Sequence, residues 1–251
     1  MGTLVKNEFY KLKREWFVLF LLLLSLLPVL TGGAGALFND STKAMADLFF
    51  FMNNQFAMFF PMVIFILIGS LFYQEYKNKT YITWITYGYA KAKLFLAKMI
   101  VSMVVSLLFA AVLLLSFGAL LLLLQGAGKV FVSVSQFGAL AIGFALESLI
   151  DVLVTTCAGA IVIVLSRNII VTSVVGVIYG FASCFFIGAE QGFVVPGGFA
   201  YRVAMYFSDA ATYYDQPLQA TIGGISSSTL LFAILFCAGL GLFAHKKKIE
   251  A

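Results

Sequence analysis

The sequence predicts an all-α membrane protein with six transmembrane helices, and three observations carry the prediction: composition, the length of the apolar runs, and the placement of the basic residues. Of 251 residues, 62% are hydrophobic and 11% charged, whereas a soluble domain carries roughly 25% charged residues. Apolar runs lie at about 16–38, 48–72, 99–124, 137–165, 169–188 and 226–244. At ~1.5 Å per helical residue each is long enough to cross a ~30 Å hydrocarbon core. Such closely spaced runs cannot be hidden in one water-soluble core. With no internal repeat and no second domain visible, residues 1–251 read as a single transmembrane domain.

Orientation follows from the basic residues flanking the runs. Lys6, Lys11, Lys13 and Arg14 precede span one, and Lys77, Lys79, Lys91, Lys93 and Lys98 lie between spans two and three. Arg167 lies between spans four and five, and Lys246, Lys247 and Lys248 follow span six. All thirteen fall on one side, whereas only Lys43, Lys129 and Arg202 fall on the other. Both termini are therefore expected in the cytosol. The net charge of +5 reads as topology rather than as a nucleic-acid footprint.

The start of the chain could be mistaken for a secretory signal, since a basic stretch and an apolar run lead to the small residues Gly32–Gly33–Ala34–Gly35–Ala36. An amphipathic pattern and five further spans argue against cleavage. Val5, Phe9, Leu12 and Trp16 recur at helical spacing with Lys6, Lys13 and Arg14 elsewhere, so residues 1–14 read as a short helix along the membrane surface.

Motifs for chemistry are lacking. Gln125 to Val130 imitates a phosphate loop but lacks the first Gly, and Val130 stands where Ser or Thr should hold magnesium. Asn78–Lys79–Thr80 is a glycosylation sequon on the cytosolic side. Cys157, Cys184 and Cys237 all lie in apolar runs without metal-ligand spacing. No catalytic residue, metal site or cofactor of this chain is expected.

The connection Tyr73–Lys98 is more informative. Tyr73, Tyr76, Thr80, Trp84 and Tyr87 are spaced by three or four, so a helix here would show an aromatic stripe, with Glu75, Lys77, Asn78, Lys79 and Thr83 turned to water or a partner. It reads either as an interfacial anchor or as a docking surface for a cytosolic subunit.

Here the chain resembles the permease subunits of type-2 ABC exporters, in the branch of bacteriocin-immunity and amphipathic-peptide exporters. Lys6–Asn7–Glu8–Phe9–Tyr10–Lys11–Leu12–Lys13–Arg14 is similar to that family's basic elbow helix, with Phe9, Lys11, Lys13 and Arg14 as its marked positions. Glu75 and Thr80 resemble its acidic residue and Thr after span two, and Lys91 to Lys98 its basic lead into span three. The layout of six spans with a long last outer loop also matches. Lys79 and Gly88 depart from the family pattern, where Gly and Pro are common. The resemblance implies a dimer of permeases, most simply two copies of this chain, bound to two ATPase subunits that carry ATP and Mg. It implies docking through Glu75, Tyr76, Lys77, Lys79, Thr80 and Trp84, and a hydrophobic, amphipathic or peptide-antibiotic cargo exported across a bacterial inner membrane.

Three further features invite a role. In span five, Thr172, Gly176, Gly180, Cys184 and Gly188 form a ridge of small residues suited to close helix approach, within one bundle or between two permeases. In span four, Glu147 and Asp151 share a helix face, and each costs roughly 2.5–3.5 kcal/mol at mid-membrane on the insertion scale. They read as headgroup-level residues of a span starting near Leu149, as a polar contact in the bundle with Arg202 as a conceivable partner, or as a proton or cation site. The segment 189–225, with Phe193, Phe199, Tyr201, Tyr206, Phe207, Tyr213 and Tyr214, reads as short re-entrant or interfacial helices capping the outer face. Pro28 and Pro61 are candidate hinges or static kinks. Against an ATP-driven exporter stand two alternatives: an ion-coupled secondary transporter using Glu147 and Asp151, and a non-transporting membrane immunity protein.

Overall fold

The computed structural model describes residues 1–38, 42–78, 80, 88–209 and 217–245, which form helices and connecting turns without strands. The helices are α1 (Gly2–Leu12), α2 (Trp16–Ser25), α3 (Leu27–Leu37), α4 (Met45–Lys77), α5 (Lys91–Gly126), α6 (Val134–Ser166), α7 (Ile169–Ile187), α8 (Pro196–Ser208) and α9 (Pro217–His245), with a 3₁₀ turn at Gly192–Val194 before α8. Five of them, α4, α5, α6, α7 and α9, are long and apolar enough to cross a membrane, and the bent pair α2–α3 raises the number to as many as six.

Hydropathy locates these helices but underestimates them. At ~1.5 Å per residue α4, α5 and α6 run about 50 Å, well past a ~30 Å hydrocarbon core. The expected connection Tyr73–Lys98 is thereby shortened, because Tyr73 to Lys77 complete α4 and Lys91 to Lys98 form the first turns of α5. α9 likewise starts at Pro217 rather than near 226. The first span is broken by 43° between α2 and α3. Pro28 in the first turn of α3 has no N–H to bond back to Leu24 and its ring crowds that carbonyl, so the break falls just ahead of it. Pro61, by contrast, sits inside α4 without dividing it.

α6 is the hub, packed against α4, α5, α7, α8 and α9, while α4 and α7 make the broadest helix pair. The interior is phenylalanine-rich. Phe49, Phe56, Phe60, Phe117 and Phe144 interlock between α4, α5 and α6 at centroid distances of 4.4–6.5 Å, and Phe72, Phe95 and Phe243 form a second cluster. Phe243 therefore brings the end of α9 to the same end of the bundle as α1, the close of α4 and the start of α5. Outward faces stay apolar, with Trp16, Leu115, Phe185 and Leu218 exposed, as lipid contact requires.

The small-residue ridge is used inside the chain. Thr172 packs against Gly69, a Cβ at Gly176 would come within 2.5 Å of the Phe65 Cβ, and one at Gly180 would fall on the Met58 carbonyl oxygen. Thr172, Gly176 and Gly180 thus let α7 and α4 approach closely. Cys184 is half-buried, while Gly188 ends the ridge with open space around it.

A buried ion ring and a buried acid pair

The first candidate site begins on α1. Its buried stripe is Leu4, Glu8 and Leu12, one position off the expected Val5, Phe9, Leu12 and Trp16. Val5 and Phe9 pack only partly, and Trp16 lies outside at 85% exposure. A carboxylate therefore sits in the middle of an apolar face, and the structure supplies its partners. Glu8 accepts from Lys11 at 2.8 Å and from Lys98 of α5 at 2.9 Å. Glu75 of α4 accepts from Lys11 and, at 3.4 Å, from Lys98. The four charges close into a ring of alternating sign that joins α1, α4 and α5.

Every carboxylate oxygen of the ring accepts a hydrogen bond. An ammonium has three protons, and Lys98 directs them to Glu8, Glu75 and the Leu71 carbonyl at 2.8 Å. The second Glu75 oxygen accepts from the Thr80 hydroxyl at 2.6 Å. Lys98 also stands 5.7 Å from the centre of the Phe72 ring. Burial lowers the affinity of the Lys11 ammonium for its proton, but the Glu8 charge and the bonds to Glu75 and Glu8 outweigh it and hold its pKa above the ordinary 10.5. Two carboxylates and two ammonium groups leave no net charge, the condition under which buried ions are tolerated.

Glu75 does not turn to water as the helical stripe predicts: it is 4% exposed and faces inward, where it accepts from the exposed Thr80. Lys77 and Thr80 are exposed and Tyr76 is half-buried. Lys79, Thr83, Trp84 and Tyr87 lie outside the described residues, as do Lys246, Lys247 and Lys248. On α1 and just beyond it, Phe9 is half-buried and Lys11 belongs to the ring, whereas Lys13 and Arg14 are exposed, the latter 4.9 Å from the Tyr10 ring centre. Glu8 was missed in the sequence, although a lone carboxylate at four-residue spacing between Leu4 and Leu12 is the mark of a buried ion partner.

The second site lies near the middle of α6. Glu147 and Asp151 are 2% and 6% exposed and face the bundle rather than its outer surface. α6 begins at Val134, well before Leu149. Asp151 accepts from Thr155 at 3.0 Å, and Glu147 lies against the Asn53 amide of α4. Tyr201 of α8 donates to Asn54 at 2.7 Å. Arg202 is not the partner of this pair. Its guanidinium donates to the carbonyls of Ile187, Ala189 and Glu190 and so caps the end of α7, where helix carbonyls lack partners.

Segment 189–225 resolves into the 3₁₀ turn, α8 and the first turns of α9; residues 210–216, including Tyr213 and Tyr214, lie outside the described residues. Phe193 packs at Gly223 and Phe199 at Gly224, so two glycines of α9 form the notch that seats the α8 region.

The family model for an ABC-2 family transporter protein matches residues 4–183. The chain belongs to this family. The matched stretch takes in every member of the ion ring and both buried acids. Curated proteins and solved structures give no match. An ABC-2 permease is a membrane component of a transport system whose ATP hydrolysis resides on a separate subunit. The ion ring of this permease is suited to that division of labour. It ties one end of each of three helices, α1, α4 and α5, to the others.

Proposed function

We propose that this ABC-2 permease is the transmembrane subunit of an ATP-driven exporter, assembled as a homodimer with two ATPase subunits that bind ATP and Mg. The observation that carries the reading is the ring Glu8–Lys11–Glu75–Lys98, which ties α1, α4 and α5 together and reaches the segment 78–90 through Thr80. In this reading the ring end faces the cytosol of a bacterial cell, both termini lie there, and α1 rests along the membrane surface. The ATPase docks on Lys77, Thr80 and the following residues, including Lys79 and Trp84, with Tyr76 behind them. Closure of the ATPases pushes this segment, and the ring passes the push to α4 and α5 as a rigid joint. The cargo is hydrophobic or amphipathic, a peptide or peptide antibiotic, consistent with a phenylalanine-lined interior and apolar helix faces.

The test is gentle purification from the native membrane with ATP and vanadate present, beside a Glu75→Ala, Trp84→Ala variant. A stoichiometric nucleotide-binding subunit that is lost from the variant supports the proposal. A chain that purifies alone, with no ATPase activity in the preparation, overturns it.

A further inference from the structure

Glu147 and Asp151 of α6 are faced by three other helices, α4, α7 and α8, and what these present to them is polar but not cationic. From α4 comes the fully buried Asn53 side chain, its amide against the Glu147 carboxyl. Oδ2 of Asp151 has no hydrogen-bond partner. From α7 comes Tyr179, beside Asp151 and Thr155. From α8 comes Tyr201, within electrostatic reach of Glu147 and of the half-buried Cys184 on α7. Among the described residues no Lys or Arg pairs with either carboxyl.

A carboxylate enclosed in a low-dielectric interior needs a positive charge or a proton. No cluster of three acidic, His or Cys groups that could hold a metal ion exists among the described residues.

We propose that Glu147 and Asp151 form a proton-binding site in the middle of the bundle, lined by Asn53, Thr155, Tyr179 and Tyr201 and closed by α8. In this closed arrangement the site carries bound protons, so no uncompensated charge is buried. α8 is the element able to uncover it. α8 is seated against α6 where a Cβ on Gly143 would meet the Ala204 carbonyl oxygen at 3.0 Å, and it is fastened to α4 by the Tyr201–Asn54 bond. Lifting α8 admits water, which accepts the proton from the carboxyl and solvates the carboxylate left behind. Proton release and displacement of α8 are thus linked, whatever cargo the permease moves.

The experiment is infrared spectroscopy of the purified permease in lipid nanodiscs at pH 7, in H₂O and D₂O, with wild type, Glu147→Gln and Asp151→Asn. The expected result is a protonated-carboxyl C=O band that shifts on deuteration and is lost or diminished in at least one variant. Glu8 and Glu75, the other buried carboxyls, are ion-paired with lysine, so the band has no other buried source among the described residues. Absence of the band from wild type overturns the proposal even where a variant fails to assemble. So does a band left unchanged in both variants, or a carboxylate band that responds to Na⁺ but not K⁺, which would make this a metal-cation site.

Discussion

Glu8 and Glu75 at one end of the bundle and Glu147 and Asp151 near its middle are two pairs of carboxyls buried to nearly the same degree. The first pair meets two lysines in a closed ring; the second meets an amide, a threonine hydroxyl and two phenols. Burial therefore does not tell how a carboxyl is used. What differs is the supply of positive charge, and with it the mechanical role. The ring is held by charge and is suited to transmitting force as one piece. The acid pair has no such tie, so its stability depends on a proton that can leave.

Substitutions at the two pairs should separate them. Lys98→Met strands two carboxylates beside one lysine, and removing one partner from a buried ion pair costs about 3–5 kcal/mol. Glu147→Gln keeps the shape of a neutral carboxyl and should stay within about 1 kcal/mol of wild type, the size of one ordinary hydrogen bond. Thermal unfolding in nanodiscs measures both; equal losses would erase the distinction.

α4 serves both sites, with Glu75 near one end and Asn53 toward the other, which permits a second and smaller test. Gly180→Ala drives a methyl onto the Met58 carbonyl oxygen, and overpacking costs typically about 1–3 kcal/mol. Met58 lies closer along α4 to Asn53 than to Glu75, so hydrogen exchange should rise around Asn53 and Asp151 before it rises around Glu75. Uniform loosening would mean that the helices respond as a single block.

The smallest effect belongs to Lys11, the most exposed member of the ring. Its pKa in the folded chain lies above 10.5. The sign follows from the raised value: the Lys11 contribution is fully present below pH 10.5 and fades as pH climbs through the higher folded value. Unfolding midpoints of wild type and Lys11→Ala should therefore differ at neutral pH and converge in strong alkali.

Much of the fold was legible in the sequence, because a run of about 20 apolar residues has few uses outside a bilayer. Helix ends were not, since hydropathy stops at the first polar residues while hydrogen bonding continues through Lys77 and from Lys91 onward. The site was half legible. Glu75 and Thr80 stood out as a spaced pair, and the structure joins them at 2.6 Å. Glu8 and Lys98 did not, because a charge flanking a span looks like a topology signal until a partner from another helix is seen. Arg202 carried the opposite lesson: a lone cation near two acids in a sequence diagram turns out to cap the end of α7. The Gly223–Gly224 notch was invisible, since nothing in an apolar run announces which glycines receive Phe193 and Phe199.

The central claim is that the ring receives its signal from the docking segment, and Thr80 is the described residue that makes this connection. The most direct measurement is ATP hydrolysis by the reconstituted permease–ATPase complex with Thr80→Val, which removes the hydroxyl bond to Glu75 without burying a charge. The account predicts an assembled complex whose rate falls about tenfold, equivalent to about 1.4 kcal/mol and near the worth of a hydrogen bond to a charged group. A Thr80→Val complex that assembles and hydrolyses ATP at the wild-type rate would contradict it.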